Sequence, residues 1–333
     1  MSYQFKAIIL NKEGENFSRE IKSVDKSFLK HGDVTVKVDY SDLNFKDGMI
    51  LKNGGNLVKE FPHIPGIDFS GTVIESKNNT FKVGDEVILT GFRVGEIFYG
   101  GYSQIARVNG EFLVKKPLNL TSKQAMIIGT AGLTSLMSAF AIQAREAILL
   151  GEKVNDVLVT GATGGVGSLA VIALNKLGYN VTAVSGKLSQ ANYLKSLGAK
   201  NIINRAEFDK DPKIIDKGLW DGVVDTVGGR ILANAIAQTK PNGIITVCGN
   251  VNNNELKTSV IPFMLRGIKL WGIDSANCSI KRRQFIWNEA ANLIDFSLLE
   301  NYILTVSLEE LLEIYPKILN GEISGRVLVD LNK

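Results

Sequence analysis

The feature that most constrains the fold is a glycine-rich turn in the middle of the chain, Val157-Leu-Val-Thr-Gly161-Ala-Thr-Gly164-Gly165-Val-Gly167. An apolar strand runs into glycines spaced three residues apart, and an apolar helical stretch, Gly165–Leu177, follows. Glycine permits a tight turn and a close approach of the backbone to phosphate, while the helix N-terminus offers free N–H groups and a positive dipole end. Strand, turn and helix in this order predict nucleotide binding rather than a purely structural turn.

The residues after the second strand indicate which nucleotide is bound. A site for NAD places Asp or Glu about 20 residues beyond the turn, where it holds the ribose 2′-hydroxyl. Here the segment reads Ala183-Val184-Ser185-Gly186-Lys187, without an acidic residue. A hydroxyl and an ammonium suit a 2′-phosphate, and Arg205 after the third strand would add a second positive charge. The sequence therefore favours NADPH; the alternative is that Lys187 is only an exposed loop residue.

The two parts of the chain follow different strand patterns. Up to about residue 120, short alternating strands such as Val34–Asp39 and Gly71–Glu75 are separated by Gly, Pro and Asn clusters, which predicts a β-rich, partly open barrel. From about residue 125, apolar strands alternate with helices, which predicts a parallel sheet covered on both faces. The strand candidates there are Val157–Thr160, Val181–Val184, Asn201–Ile203, Gly222–Asp225, Ile244–Val247 and Lys269–Ile273.

The end of the chain returns to the first pattern. It shows two helices, Arg282–Ile294 and Leu308–Leu319, and a terminal strand, Arg326–Asp330. This tail is too short for a domain of its own, so we expect it to pack on the first one. The predicted domains are residues 1–125 with 277–333, and residues 126–276 between them.

Composition argues against several classes of partner. The formal net charge is +4 and the basic residues are scattered; the densest run, Lys281–Arg283, lacks interleaved aromatic residues and is interpreted as a solvated helix start. No nucleic-acid partner is therefore expected. Ala7–Leu10 is too short for a signal peptide, and no segment is expected to provide the ~18 apolar residues of a membrane span. Two unpaired cysteines, Cys248 and Cys278, favour a reducing compartment, so the prediction is a cytoplasmic protein without a membrane partner.

An ordered set of short blocks carries a family resemblance over essentially the whole chain. The blocks are Ser41-Asp-Leu-Asn-Phe-Lys-Asp47, Phe61-Pro-His-Ile-Pro-Gly-Ile-Asp-Phe-Ser-Gly-Thr72, Leu89-Thr-Gly91, Ala125-Met-Ile-Ile-Gly-Thr-Ala-Gly132, the glycine-rich turn, Val184-Ser-Gly186, Tyr193-Leu-Lys-Ser-Leu-Gly198, Asp225-Thr-Val-Gly228 and Gly325-Arg326. Together they resemble the zinc-free medium-chain dehydrogenase/reductases of the quinone oxidoreductase type, and within these the acrylyl-CoA reductase subgroup.

The resemblance implies an α/β protein with a GroES-like catalytic domain and a Rossmann domain, a doubly wound parallel sheet. It assigns the pyrophosphate to Thr163, Gly164, Gly165 and Val166, and the 2′-phosphate to Ser185, Gly186, Lys187 and Arg205. The residues implied near the nicotinamide or the adjoining sugar are Phe45, Asn250, Met264, Ser275 and Arg326. Lys187 stands where the family usually has Arg, which keeps the charge but loses the planar fork.

One departure from the family concerns the proton. Members commonly have Tyr in the block Ser-x-x-Asn-Tyr-Lys-Asp, and a role as proton donor or orienter has been attached to it. This chain has Phe45, which can stack on a nicotinamide but cannot donate a proton. No catalytic acid is therefore assigned. Backbone donors near Asn44, the candidate catalytic residue, would hold the enolate oxygen.

The same blocks predict the absence of zinc. Zinc-dependent relatives need Cys in the first block and Gly-His-Glu in the second, where this chain has Asn44-Phe45-Lys46 and Gly66-Ile67-Asp68. Two histidines, His31 and His63, and two unpaired cysteines do not supply a structural or catalytic zinc site.

The predicted activity is reduction of the C=C bond of an α,β-unsaturated carbonyl compound with NADPH, with acryloyl-CoA to propanoyl-CoA as the preferred reaction. The phosphates of an acyl-CoA would meet Lys46, Lys52 or Arg93. One alternative is an NADPH:quinone oxidoreductase. Another, for which Phe45 leaves room, is an NADPH-sensing or nucleic-acid-binding module without catalysis. The apolar last strand, Lys269–Ile273, predicts sheet pairing in a homodimer, as is frequent in the family.

Overall fold

In a computed structural model, which describes residues 4–30, 32–148, 150–151, 153–251 and 253–333, the chain divides into two units. Unit 1 contains Met1–Thr130, Ala276–Ala291 and Asn301–Lys333, and unit 2 contains Ala131–Ser275 and Asn292–Glu300. The first division falls after Thr130 rather than after residue 125, because backbone groups of residues 126–130 bond to side chains of unit 1.

Unit 2 is built on a six-stranded parallel sheet in the order β10-β9-β8-β11-β12-β13. This order is that of a doubly wound nucleotide-binding sheet. Successive strands are added on one side of β8 and then, from β11 onward, on its other side. The prediction of a Rossmann domain is therefore confirmed. The strands are β8 (Asp156–Val159), β9 (Asn180–Ser185), β10 (Asn201–Asn204), β11 (Trp220–Asp225), β12 (Thr239–Val247) and β13 (Lys269–Gly272).

Helices separate these strands. Eight consecutive residues of the helix after β8, from Gly167 to Leu174, are buried, as expected for a helix packed on a parallel sheet. The helices are α3 (Gly165–Lys176), α4 (Ala191–Ser196), α5 (Arg205–Phe208), α6 (Gly229–Ala237) and α7 (Ile261–Arg266), with a 3₁₀ turn at Leu188–Gln190.

Unit 1 is built on a seven-stranded sheet in the order β14-β15-β3-β4-β5-β7, with β6 pairing to β3, and a separate two-stranded ribbon, β1-β2. All its pairs are antiparallel except β14 with β15. The strands are β1 (Gln4–Glu13), β2 (Asn16–Asp25), β3 (Val34–Asp42), β4 (Asp68–Ser76), β5 (Glu86–Thr90), β6 (Ile105–Val108), β7 (Leu113–Lys115), β14 (Ile303–Val306) and β15 (Arg326–Asp330).

The tail joins this sheet through β15, which pairs with β3 so that Leu328 faces Asp42. Val327 and Val329 belong to the same buried cluster as Val36 and Val38, so the end of the tail packs in unit 1. The predicted assignment of all of residues 277–333 to the first domain differs from the structure in one segment, because Asn292–Glu300 belong to unit 2. The helices of unit 1 are α1 (Phe45–Asn53), α8 (Ile280–Leu293), whose last two residues fall in unit 2, and α9 (Leu308–Leu319). Two 3₁₀ turns of unit 1 lie at Lys26–Phe28 and Gly110–Phe112, and a third, Phe296–Tyr302, lies mostly in unit 2.

The long helical stretch α2 (Ser122–Ile148) corrects the expectation about membrane spans. Over Ser122–Ala147 its mean hydropathy of 1.7 over 18 residues would suffice, by length and composition, for a helix that crosses a bilayer. Because 89% of that window is buried inside the protein, its apolar side chains serve as core. The stretch is also interrupted at Gly129, whose φ of 50° and ψ of −158° are not helical.

The basic run at the start of α8 also differs from its interpretation as solvated. Lys281 and Arg282 are exposed, but Arg283 is fully buried. Its guanidinium donates to Oγ1 of Thr90 at 2.6 Å and lies 4.6 Å from the centre of the Phe92 ring. The third residue of the run therefore fixes the turn after β5, which no charge pattern reveals.

Candidate functional site

The glycine-rich turn follows β8, at the carboxyl end of the unit-2 sheet. Gly161 has φ of 58°, a left-handed conformation that favours glycine. A Cβ on Gly167 would meet Cα of Ala162 at 2.7 Å, so this position also requires glycine. Gly164 precedes α3 and no side chain caps the helix there, which leaves the N–H groups of its first turn to a ligand.

Asp225, the last residue of β11, and Thr226, which follows it, hold this turn in place. Oδ1 of Asp225 accepts a hydrogen bond from Oγ1 of Thr160 at 2.7 Å, and the hydroxyl of Thr226 donates to the Thr160 carbonyl at 2.9 Å. Oδ2 of Asp225 accepts from the N–H of Gly228 at 2.8 Å. Burial raises the pKa of Asp225. The turn is thus held by hydrogen bonds to the end of the neighbouring strand.

The residues predicted for the 2′-phosphate come together at the ends of β9 and β10. Oγ of Ser185 accepts from the backbone N–H of Lys187 at 3.0 Å and lies 3.4 Å from Oγ1 of Thr163. A Cβ on Gly186 would lie 3.1 Å from Cζ of Arg205, so the guanidinium lies directly on this glycine. A hydroxyl, a glycine and a guanidinium therefore lie together at this edge of the sheet, with the backbone of Lys187 beside them. Their role toward the 2′-phosphate stays a prediction.

The remaining predicted cofactor residues of unit 2 are dispersed. Asn250 is exposed and donates through Nδ2 to Oδ1 of Asn254. Met264 lies on α7 and is largely exposed. Ser275 accepts from Oγ1 of Thr134 at 2.7 Å. Their roles toward the nicotinamide stay predictions.

Unit 1 contains a buried polar cluster that the sequence did not predict as a set, at the end of β3. We define the aspartate cluster as Asp42, Asp47, Asp68, Asn44 and Arg326. All three aspartates are fully buried and Arg326 is 3% exposed. The Arg326 guanidinium forms an ion pair through Nη2 with Oδ2 of Asp42. The three carboxyl groups and the arginine all lie in or beside the blocks that carry the family resemblance.

The helical stretch α2 is interrupted at Gly129, so the C-terminal end of its first part and the N-terminal end of its second part both contact this cluster. Before it, the carbonyls of Met126 and Ile127 accept from Arg326, with Nε 2.9 Å from the Ile127 oxygen. After it, Thr130 donates through its N–H and its hydroxyl to the two oxygens of Asp68, each at 2.6 Å. The carbonyl end therefore stabilises the cation and the N–H end stabilises the carboxylate, as expected from the charges at helix ends.

Asn44 is held by its neighbours on all sides. Its Nδ2 donates to Oδ1 of Asp42 at 2.7 Å and to Oδ2 of Asp68 at 3.1 Å, which uses both amide hydrogens. Its backbone N–H donates to Oδ2 of Asp47 at 3.0 Å. Oδ1 of Asn44 lies 3.4 Å from Nη1 of Arg326. The side chain is thus placed to orient its neighbours rather than to donate to a substrate. Phe45, the next residue, begins α1.

Burial shifts the acidity of the cluster. Desolvation and then the nearby Asp68 charge raise the pKa of Asp47 to about 7 and hold that of Asp42 well above its usual range. Desolvation also raises the pKa of Asp68, against the hydrogen bonds from Thr130 and the charge of Arg326. The pKa values of all three carboxyl groups are therefore raised, since one guanidinium does not compensate three negative charges in this buried environment.

The donor set at the expected ligand positions does not fit zinc. His63 is buried, with Nε2 3.0 Å from the Gly95 carbonyl oxygen, and burial lowers its pKa to about 4. His31 lies outside the described residues. Within the described ranges, no group of three or more His, Cys, Asp or Glu residues is arranged to hold a metal ion. Freedom from zinc stays a prediction.

Two of the three basic residues suggested for an acyl-CoA meet at one carboxylate. Nζ of Lys46 lies 2.7 Å from Oε1 of Glu96, and Nε of Arg93 lies 3.5 Å from Oε2. Glu96 is nearly buried, whereas the Lys46 side chain is partly exposed and that of Arg93 is exposed. Lys52 lies in the last turn of α1, away from this group in sequence. The Lys46–Arg93 pair therefore carries one net positive charge beside the block that contains Phe45.

The aspartate cluster was missed because each member has an ordinary local context. Asp42 ends a strand, Asp47 lies in the first turn of a helix and Asp68 begins a strand. A signal exists in the sequence, since all three lie in blocks shared with the family. Their convergence depends on the pairing of β3 with β4 and β15 and on the path of α2.

The chain is similar to families and proteins of known type. Residues 30–118 match the family model described as alcohol dehydrogenase GroES-like domain, and residues 165–295 match the one described as zinc-binding dehydrogenase. It is 41% identical to acrylyl-CoA reductase AcuI of Ruegeria pomeroyi, over 98% of this chain and 99% of that protein. The crystal structure of YhdH of Escherichia coli K-12 with bound NADPH has a TM-score of 0.93 at 40% identity, over 98% of this chain and 100% of that one.

A third relative is named as a quinone oxidoreductase rather than as an acrylyl-CoA reductase. "Putative quinone oxidoreductase YhfP" of Bacillus subtilis is 41% identical over 99% of this chain and 100% of that protein. Its crystal structure with NAD bound has a TM-score of 0.93 over 98% of this chain and 99% of that chain. Similarity of this extent, together with the two family models, identifies the fold and the relationship. The chain therefore belongs to the quinone oxidoreductase-like medium-chain dehydrogenase/reductases, in their acrylyl-CoA reductase subgroup.

Proposed function

We propose that this protein uses NADPH to reduce the C=C bond of an α,β-unsaturated carbonyl compound, with acryloyl-CoA to propanoyl-CoA as the preferred reaction. The observation that carries the proposal is the buried guanidinium of Arg326, which is fixed at Nε and Nη2 and makes only a long contact through Nη1. A fixed donor in a desolvated site is what a carbonyl oxygen that gains negative charge requires. The similarity to an acrylyl-CoA reductase supports the substrate class.

NADPH, when bound, supplies the hydride. The backbone of the turn from Gly161 to Gly167 and the start of α3 would hold its pyrophosphate. Ser185, Lys187 and Arg205 would hold its 2′-phosphate, because a hydroxyl and two cations recognise an anion that NADH lacks. A related structure holds NAD, so the turn by itself does not select between the cofactors, and we assign the selection to these three side chains.

Reduction adds a hydride to the β-carbon of the substrate and moves the π electrons to the carbonyl oxygen. Nη1 of Arg326 would donate to this enolate oxygen. A proton must then reach the α-carbon. Phe45 has no proton to give, so we assign this step to water. The carboxyl groups of the aspartate cluster act by holding Arg326 and Asn44 in place. Asn44, the residue first suggested for catalysis, orients rather than donates in this scheme, since both of its amide hydrogens are engaged.

The acyl-CoA assignment also depends on charge. Lys46 and Arg93 share the single carboxylate of Glu96 and so retain a net positive charge for a phosphate of CoA. A quinone carries no phosphate. We therefore expect acryloyl-CoA to bind better than acryloyl-pantetheine, and loss of this preference in Lys46→Met would support the assignment. The control is Lys52→Met on the same helix.

We further propose a zinc-independent homodimer in the cytoplasm, with neither a nucleic-acid nor a membrane partner. The dimer is supported by β13, an edge strand of the unit-2 sheet, where Leu270 and Trp271 are exposed. Val260, Met264 and Leu265, which precede this strand in the chain, are exposed as well. An apolar strand edge is a template for pairing with a second copy. Zinc independence is supported by the donor set, and metal analysis of the purified protein should find far less than one equivalent of zinc.

The test is a substrate panel followed by the absorbance of NADPH. Acryloyl-CoA, crotonyl-CoA and a quinone are each offered with NADPH and with NADH. Consumption of NADPH with acryloyl-CoA, and formation of propanoyl-CoA, is the expected result. Consumption with the quinone alone would favour the quinone oxidoreductase. Tight NADPH binding without consumption of any substrate would contradict an enzyme and favour a sensing or nucleic-acid-binding module.

A further inference from the structure

Asp42 differs from the other two aspartates of the cluster in how it contacts the arginine. Its Oδ2 forms the ion pair with Nη2 of Arg326, and its Oδ1 accepts from Nδ2 of Asn44 at 2.7 Å. Asp68 acts on Arg326 through charge alone, and Asp47 bonds to the backbone N–H groups of Asn44 and Ile67. Among the residues that the structure describes, Asp42 is thus the one carboxylate in direct contact with both polar side chains.

The two contacts fix two orientations at once. The Arg326 guanidinium is held at Nε by the Ile127 carbonyl and at Nη2 by Asp42, so its Nη1 atom is the one left to donate to a substrate. The Asn44 amide is held by Asp42 and Asp68 through Nδ2, so its Oδ1 turns toward that same Nη1, at 3.4 Å. Removal of Asp42 would release one anchor of each side chain.

Stability does not account for this arrangement. A buried ion pair loses in desolvation what it gains in attraction, and well-packed apolar residues of similar volume are often equally stable. The surroundings are nevertheless shaped for this carboxylate. Gly129 lacks the Cβ that would collide with Oδ2 of Asp42, and the hydroxyl of Tyr102 donates to the Asp42 carbonyl at 2.9 Å.

We propose that Asp42 is a positioning residue for the reduction, one that holds the Arg326 guanidinium and the Asn44 carboxamide so that Nη1 of Arg326 meets the substrate's carbonyl oxygen. This role rests on the proposed function. It acts through Arg326, so it makes a specific claim about coupling: a change at Asp42 matters only while Arg326 is present.

The test is a double-mutant cycle with Asp42→Asn, Arg326→Gln and the double variant. We measure kcat and KM for acryloyl-CoA, and NADPH binding by fluorescence, on the full chain. Asp42→Asn keeps the shape and should lower kcat by between about tenfold and 100-fold, the loss expected when a reacting group is misplaced by about 1 Å. NADPH affinity should stay within about twofold, because the residues assigned to the pyrophosphate and 2′-phosphate are unchanged. In the Arg326→Gln background, the same change should lower kcat by less than about twofold.

The controls separate the possible failures. Asp39→Asn, on the same strand but bonded to Ser122, should leave kcat unchanged. Asp42→Ser, with a smaller side chain, repeats the measurement if Asp42→Asn does not fold. If the unaltered protein turns over acryloyl-CoA and Asp42→Asn has the same kcat, the positioning role alone is overturned. Equal losses in both backgrounds would mean that Asp42 acts independently of Arg326 and would overturn it as well. No turnover by the unaltered protein would overturn the proposed function and this role with it.

Discussion

The break at Gly129 offers a sharp test of the site, because it combines an unusual backbone with a close contact. Its φ of 50° and ψ of −158° lie in a region that essentially only glycine adopts. A Cβ placed there would overlap Oδ2 of Asp42 and lie 3.0 Å from both Nη2 of Arg326 and Oδ2 of Asp68. Gly129→Ala therefore strains the backbone and displaces an ion pair in a single substitution.

The expected cost can be assembled from two parts. Backbone strain contributes about 1–3 kcal/mol, and forcing an atom into a filled, buried site contributes about 1–3 kcal/mol more. The free energy of unfolding of unit 1 should thus fall by about 2–6 kcal/mol. Activity should fall too, by at least about tenfold in kcat, because relief of the collision moves Asp42 and with it Arg326.

Gly14→Ala is the matched control. Gly14 also has a positive φ, of 62°, but a Cβ there would meet nothing within 4 Å, so the substitution tests a positive φ without the collision. That variant should lose only about 1–2 kcal/mol and keep full activity. Since the two units need not unfold together, the assay is urea unfolding combined with hydrogen exchange of peptides from residues 34–44 and 122–130.

The result that would refute the reasoning is specific. If Gly129→Ala and Gly14→Ala lose the same stability within about 0.5 kcal/mol, the collision with Asp42 does not exist as described. If Gly129→Ala loses stability but keeps kcat, the aspartate cluster is a structural feature and takes no part in the reaction.

Three further predictions address the cofactor, the dimer and the acidity of the cluster. Lys187→Glu should weaken NADPH binding by about tenfold or more and leave NADH binding almost unchanged, with the exposed Lys195→Glu as control; equal losses for the two cofactors would contradict the 2′-phosphate assignment. Leu270→Glu on β13 should convert a dimer to a monomer in sedimentation, whereas Leu304→Glu on the edge strand β14 should not. The pKa of Asp47 in the folded protein is raised from 3.8 to about 7, so folding favours its protonated form. Its contribution to the free energy of unfolding is therefore complete below pH 4 and falls by about 4 kcal/mol as the pH rises to 7. The stability difference between the wild type and Asp47→Asn, measured by urea unfolding across this range, should show that decline; a difference independent of pH would mean that Asp47 titrates normally.

The unit-2 fold could be predicted because each of its strands and its glycine-rich turn has a recognisable pattern within a short segment of the sequence. Each apolar strand candidate lies within or at the margin of an observed strand, and the glycine turn occurs where β8 ends. Helix α9 and strand β15 have the bounds that were predicted for them. The helical and the alternating patterns of apolar residues depend only on residues close together in the sequence. The exceptions are informative. Arg283 was expected in solvent, and α2 was overlooked as a long apolar helix, because burial depends on what packs against a segment.

The sequence by itself determined the glycine-rich turn, the absence of an acid and the presence of Lys187 and Arg205 after the next two strands, and the residues that stand where zinc-dependent relatives have ligands. These follow from the residue types at fixed spacings along one strand–turn–helix unit. Only the tertiary structure decided how Asp42, Asp68 and Arg326 meet. They come from strands far apart in the chain, and the opposed helix ends beside them exist because the helix breaks at Gly129. Burial then sets their charges, and burial is a property of the folded chain rather than of any segment.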